Sequence, residues 1–275
     1  MKKTVGSLLR QKETVKKISM LTCYDYTTAK LMETAEIDTI LVGDSLGMTM
    51  LGYPDTLSVT MEDMIHHGKA VCRGVKDIFV VMDMPFMSYQ TSVYDALVNA
   101  GRLIKETGAN AVKLEGGAAV CEQIKAITDA GIPVVAHIGM TPQSVNAMGG
   151  FKCQGKDAAK AQQIIDDALA VQEAGAFMVV LECIPSKLAA IITSKLMIPT
   201  IGIGAGADCD GQVLVWQDMM TMNTDMRPKF VKSFAQGGDV MRDAFAEYDR
   251  QVKAGDFPGP EHGFKIDDEV IAQLK

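Results

Sequence analysis

Asp129-Ala130-Gly131-Ile132-Pro133 stands between an amphipathic stretch, Cys121 to Ala130, and a short apolar run, Pro133 to Ala136, that ends at His137. A glycine after a helical stretch supplies the left-handed cap that turns a chain back on itself. The run that follows is short and bounded by turn signals, so it reads as a strand. The same junction recurs at Glu106-Thr107-Gly108-Ala109, ahead of Ala111 to Leu114, and at Glu173-Ala174-Gly175-Ala176, ahead of Phe177 to Leu181. A helix that ends in glycine and hands over to a short apolar strand is the repeat of a β/α fold.

Five further runs complete the pattern: Ile18 to Thr22, Thr39 to Val42, Ile78 to Met82, Thr200 to Ile203 and Gln212 to Val215. Between most of the runs lie stretches of helical period, among them Thr27 to Ala35, Met61 to Val75, Val93 to Thr107, Ala158 to Ala174 and Pro185 to Ser194. Alternation of strand and helix implies a parallel sheet, and near-continuous apolar strands imply cover on both faces. Eight such strands favour closure into a (β/α)₈ TIM barrel over an open doubly wound sheet. A last helical stretch, Lys229 to Lys253, is ended by Phe257-Pro258-Gly259-Pro260, and the residues beyond read as a tail that docks on the barrel or on a neighbouring subunit. No linker divides the 275 residues, so 1–275 is expected to form one barrel domain with a C-terminal helical extension.

A 48% hydrophobic and 22% charged composition is that of an ordinary globular chain, neither disordered nor membrane-spanning. A net charge of −7, with 27 basic residues spread along the chain, argues against a nucleic-acid surface. Met1 to Lys17 lacks the continuous apolar segment of a signal peptide, which points to a cytoplasmic protein. Cys23, Cys72, Cys121, Cys153, Cys183 and Cys209 are widely separated and form no C-x-x-C pair, so they read as reduced thiols rather than zinc ligands.

Chemistry in such a barrel collects at the carboxyl ends of the strands. There the sequence places Gly43-Asp44-Ser45, Asp83, Lys113, Glu115, His137 and Glu182. Each has a plain alternative. Asp44 can cap the next helix, Glu115 can pair with a helix dipole, Lys113 can merely neutralise the carboxylates, and His137 can be a satisfied core histidine as readily as a donor to an oxyanion. Their coincidence at one mouth is the argument. Carboxylates without paired Cys or His suit a hard cation, magnesium first, with open positions for a chelating 2-oxo acid. Asp44 and Asp83 are expected on the rim, outside the packed barrel. Positions two apart in a strand share a face, so Lys113 and Glu115 point the same way, and the acidic surroundings keep the Lys113 amine protonated, against Schiff-base chemistry. His66-His67, adjacent on a helix, is no metal pair. The loop Gly202-Ile203-Gly204-Ala205-Gly206 is similar to barrel phosphate loops, and serves equally as a tight turn.

Three strings, Leu41-Val42-Gly43-Asp44-Ser45-Leu46-Gly47, Asp83-Met84-Pro85-Phe86-Met87-Ser88-Tyr89 and Val112-Lys113-Leu114-Glu115-Gly116-Gly117, resemble the ketopantoate hydroxymethyltransferase family. The match extends through His137 to Ser144, Gly149 to Lys152, Leu181 to Pro185 and Arg227 to Lys232. The resemblance implies an enzyme of the phosphoenolpyruvate/pyruvate-barrel kind. It would transfer a one-carbon unit from 5,10-methylenetetrahydrofolate to 3-methyl-2-oxobutanoate through a magnesium-stabilised enolate. It implies Asp44, Asp83 and Glu115 around the metal, Ser45 and Lys113 on the oxo acid, Glu182 as base, and a homo-oligomer, often a decamer. One departure follows the eighth strand, where Val215-Trp216-Gln217-Asp218 and the methionine-rich run to Met226 replace the family's more usual pattern. The rival readings are a metal-dependent lyase or mutase of the phosphoenolpyruvate-using barrels, and a non-catalytic barrel that binds a metabolite.

Overall fold

The computed structural model describes residues 2–223 and 228–274; Arg227 of the last matching string and the end of the methionine-rich run lie outside them. Eight parallel strands close in chain order: β1 (Ile18–Thr22), β2 (Thr39–Val42), β3 (Phe79–Asp83), β4 (Ala111–Glu115), β5 (Val134–Gly139), β6 (Met178–Glu182), β7 (Thr200–Ile203) and β8 (Gly211–Leu214), with β8 pairing back onto β1. The expected (β/α)₈ barrel is the observed one. The glycine junctions behave as the sequence requires: Gly108, Gly131 and Gly175 hold φ of 81°, 85° and 106°.

Side chains alternate along the strands. Ile40, Val80, Met82, Val112, Leu114, Ala136, Val179 and Leu181 face outward into the layer between sheet and helices. Leu41, Phe79, Val81, Ala111, Val135, Met178 and Val180 belong to a second apolar cluster inside the barrel. The inward series of β3, β4, β5 and β6 therefore run on to Asp83, Lys113 and Glu115, His137, and Glu182. Apolar side chains fill the lower barrel, and the last inward positions are left to charge.

A helix that the charge-rich start did not announce, Val5–Glu13, closes the amino end of the barrel. It opens with a capping box between Thr4 and Ser7 and buries Leu8 against the inner cluster. The final helix also departs from expectation, running from Gly237 to Ala254 rather than from Lys229. Pro228 opens a turn closed by the Val231 N–H on its carbonyl (3.0 Å), and Phe230 turns into the cavity above the strands instead of continuing a helix. No residue of Gly237–Ala254 is buried, and Met241, Phe245, Tyr248 and Val252 form an exposed apolar stripe at helical spacing along it. Among the described residues no helix is long and apolar enough to cross a membrane.

Candidate active site

Register brings the charged positions side by side, since Asp83 pairs with Lys113, Glu115 with His137 and Gly139 with Glu182. Lys113 Nζ lies 2.9 Å from Asp83 Oδ1 and 3.9 Å from Glu115 Oε1. His137 Nδ1 stands 3.3 Å from Glu115 Oε1 and 3.1 Å from Lys113 Nζ, while its Nε2 is 3.1 Å from Glu182 Oε2. Asp44 joins from the loop after β2, its backbone N–H donating to Asp83 Oδ2 at 3.0 Å. Ser45 Oγ is 2.8 Å from the hydroxyl of Tyr24, itself buried beyond β1. All seven expected residues line one cavity of about 430 Å³ at the carboxyl end of the barrel.

The rim placement expected for Asp44 and Asp83 is corrected: each is only 3% exposed. Loops after β3 and β5 roof the carboxylates, bringing in Tyr89 and Gln143, which carried no role in the sequence reading. The Gln143 side chain donates to Asp44 Oδ2 (2.8 Å) and to the Met84 carbonyl (2.9 Å), while its Oε1 accepts from Tyr89 (2.7 Å) and Gln90 (3.0 Å). Its backbone N–H donates to Glu115 Oε2 at 2.9 Å. Asp44 is thus no helix cap, and the short helix Leu46–Thr49 has no side-chain cap. Glu115 does accept a backbone N–H at the start of a turn, as a dipole partner would, but its other oxygen faces His137 and Lys113. His67, outside the cavity, places Nδ1 2.7 Å from the Tyr24 carbonyl. Gly139 sits at φ 95°, where an added Cβ would lie 2.4 Å from the Glu182 carbonyl oxygen.

Burial and the nearby charges of Asp83 and Glu115 push the Asp44 carboxyl well above the usual range. Burial likewise raises Asp83, against the opposing pull of Lys113. Glu115 is held below its ordinary value, because His137 and Lys113 outweigh its burial. Burial works against the Lys113 charge as well, yet Asp83, Glu115 and Asp44 keep the ammonium more firmly protonated than usual. Burial and Lys113 disfavour a charged His137, but Glu115 and Glu182 prevail and lift it to about 9.

The donor set fits a divalent oxygen-seeking cation. Four carboxylates, Asp44, Asp83, Glu115 and Glu182, meet two groups able to carry positive charge, Lys113 and His137. Asp83 Oδ1 makes only the ion-pair approach to Lys113, with no aligned hydrogen bond. A divalent cation would offset the neighbouring negative charges that, after burial, raise the Asp44 carboxyl. Among the described residues no three acidic, Cys or His groups close into a ready-made metal cage.

Above the charged floor the walls turn apolar, with Phe151, Met140, Pro142, Val215 and Phe230 lining the cavity. The glycine loop after β7 contributes Ile203, and Gly204 lies against the Phe230 ring, where a Cβ would come within 2.9 Å. Close packing and a φ of 64°, the tight-turn alternative, both call for glycine there.

A profile of ketopantoate hydroxymethyltransferase matches residues 2–260. The chain belongs to the ketopantoate hydroxymethyltransferase family. Its members here include the 3-methyl-2-oxobutanoate hydroxymethyltransferases of Clostridium novyi (strain NT), 65% identical, and Enterococcus faecalis (strain ATCC 700802 / V583), 62% identical, each aligned over 100% of both chains. Membership makes the chain an enzyme, a transferase. Among solved structures, 2,3-dimethylmalate lyase, a PEP mutase/isocitrate lyase superfamily member, superposes with a TM-score of 0.59 at 14% identity, covering 99% of each chain. Phosphonopyruvate hydrolase in complex with oxalate and Mg++ gives 0.62 at 13%, over 99% of this chain and 94% of that one. At these identities the likeness is one of barrel fold.

Proposed function

We propose that the protein transfers the one-carbon unit of 5,10-methylenetetrahydrofolate to 3-methyl-2-oxobutanoate, releasing 2-dehydropantoate and tetrahydrofolate. The observation that carries the reading is the meeting of Glu182 with a buried cluster of opposite charges on the floor of one cavity. That arrangement seats an anion, polarises it and offers a base beside it.

Asp44, Asp83 and Glu115 would hold magnesium. When bound, the ion supplies Lewis acidity that makes a hydrogen β to the carboxylate of a 2-oxo acid removable. The remaining work falls to the chain itself. Lys113, kept charged by its acidic neighbours, faces the substrate carboxylate. Either hydroxyl can donate in the Tyr24–Ser45 contact; when Tyr24 does, the serine hydrogen is left to bind an oxygen of the oxo acid. Glu182 takes the proton from the substrate carbon, and His137, whose Nε2 approaches Glu182 at 3.1 Å without an aligned hydrogen bond, donates to charge developing on the carbonyl oxygen. The enolate carbon then attacks the one-carbon unit carried as an iminium on the folate, forming the carbon–carbon bond, and water supplies the product hydroxyl as the carbon–nitrogen bond breaks and tetrahydrofolate leaves.

The test is direct: protein, magnesium, 3-methyl-2-oxobutanoate and methylenetetrahydrofolate are combined, and 2-dehydropantoate is followed by mass spectrometry. Product above the uncatalysed rate is expected, and its absence overturns the reading. We further read the protein as cytoplasmic and as a homo-oligomer, the decamer being the assembly that the resemblance implies. The apolar stripe on helix Gly237–Ala254 supports burial against other copies, so Phe245→Glu should lower the sedimentation coefficient; a monomeric wild type would refute the assembly.

A further inference from the structure

We propose that Gln143 is a positioning residue for the cation site, a clamp that fixes Asp44 and Glu115 in their working orientation. The inference rests on the magnesium reading above. Its basis is geometric. Gln143 is 5% exposed, and its amide is bonded on both sides: Nε2 donates to Asp44 Oδ2 and the Met84 carbonyl, and Oε1 accepts from Tyr89 and Gln90. An amide so saturated has one orientation, because reversing it would set its N–H groups against the Gln90 N–H. Tyr89 is tied in turn to β4, its hydroxyl accepting the Glu115 N–H at 3.0 Å.

The contacts span segments far apart in sequence. Through side chain and backbone, Gln143 joins the loop after β2, the loop after β3 and the end of β4. It occupies one oxygen of Asp44 and one of Glu115, which leaves Asp44 Oδ1 and Glu115 Oε1 for the cavity side. Glu115 Oε1 does face Lys113 and His137. A carboxylate whose outer oxygen is pinned cannot swing away from a cation, and in metal sites generally such outer partners are worth 10- to 100-fold in affinity.

The measurement is magnesium binding by calorimetry on the folded protein, with no substrate present, alongside circular dichroism and thermal melting without metal. Gln143→Met keeps the unbranched shape and removes the amide, while its backbone N–H still serves Glu115; magnesium affinity should fall roughly 10- to 100-fold. Tyr89→Phe leaves Nε2 on Asp44 and Oε1 with Gln90 as its remaining donor, and its affinity should fall by less. Gln143→Glu is the corrective control, since it refills the volume but presents a carboxylate to Asp44, and should bind no better than Gln143→Met. With magnesium saturating, KM for the oxo acid in Gln143→Met should stay within about twofold of the wild type, because Lys113 and Ser45 are untouched. Folded Gln143→Met with wild-type magnesium affinity overturns the clamp. A wild type that binds no magnesium instead removes the metal reading on which it rests. If Gln143→Met melts before titration, Tyr89→Phe alone decides, and unchanged affinity there counts against the proposal.

Discussion

Glu182→Gln separates proton abstraction from carbon transfer, because enolisation needs no folate. In D₂O with magnesium, the wild type should exchange the β-hydrogen of 3-methyl-2-oxobutanoate, read by NMR as loss of that proton signal. Among the described residues Glu182 makes its ion-pair approach to His137, at 3.1 Å, and none to Lys113, which pairs with Asp83, so the amide replaces the carboxylate without disturbing the anion anchor. His137 remains held at Nδ1 by Glu115, 3.3 Å away. The amide can turn its oxygen to the His137 Nε2–H, but it cannot accept a proton from carbon. A positioned general base is worth about 10²- to 10⁴-fold, so exchange should slow by that factor, or about 2.7–5.5 kcal/mol of barrier. Calorimetric binding of the oxo acid should change by less than roughly tenfold. Near-normal exchange in the variant would refute the assignment of Glu182 and move the base to His137. No exchange in the wild type would refute the enolate itself.

Asp83→Asn keeps the side-chain shape, but both oxygens of Asp83 face donors, the Asp44 N–H and Lys113, so one contact becomes donor against donor. Magnesium-dependent turnover should fall by at least about 100-fold, beyond the cost of losing an outer partner, and wild-type turnover with unchanged magnesium dependence would exclude Asp83 from the site. Lys113→Ala should raise KM for the oxo acid and, because it strands buried carboxylates, should also cost about 3–5 kcal/mol in urea unfolding; unchanged stability with unchanged KM would refute both roles. In metal-free protein, His137 is raised from 6.5 to about 9 and Asp44 is also raised, so both contribute stability at low pH that is lost as pH rises. Tm should therefore decline between about pH 6.5 and 9, and less steeply in His137→Gln; a decline equally steep in that variant would refute the His137 contribution.

The barrel was legible because its signals are local. Each strand is four to six residues of mostly buried chain, and each glycine junction announces itself within five. The charged positions were legible too, since strand ends and the two-residue period place Lys113 and Glu115 together without any tertiary information. What escaped the sequence is set by distant partners. Gln143 reaches Asp44 across 99 residues and Tyr89 reaches Glu115 across 26, and these roofing contacts turn an expected rim into a buried floor. The late start of the last helix escaped for a similar reason, because Phe230 satisfies its apolar surface in the cavity and not in a helical stripe.

Gly139 carries a consequence for how this enzyme tolerates change. Its positive φ already penalises every side chain, and the added Cβ would press into the carbonyl of Glu182 and, at 2.8 Å, into Ile184. Neither neighbour is the far end of a flexible side chain; one is backbone of the very residue assigned as base. In a library randomised at this codon, survivors selected for turnover should be glycine alone, whereas Ile138 beside it, facing the helical layer, should admit other apolar residues. The boundary between a variable and an immutable position is thus drawn within a single strand, one residue wide.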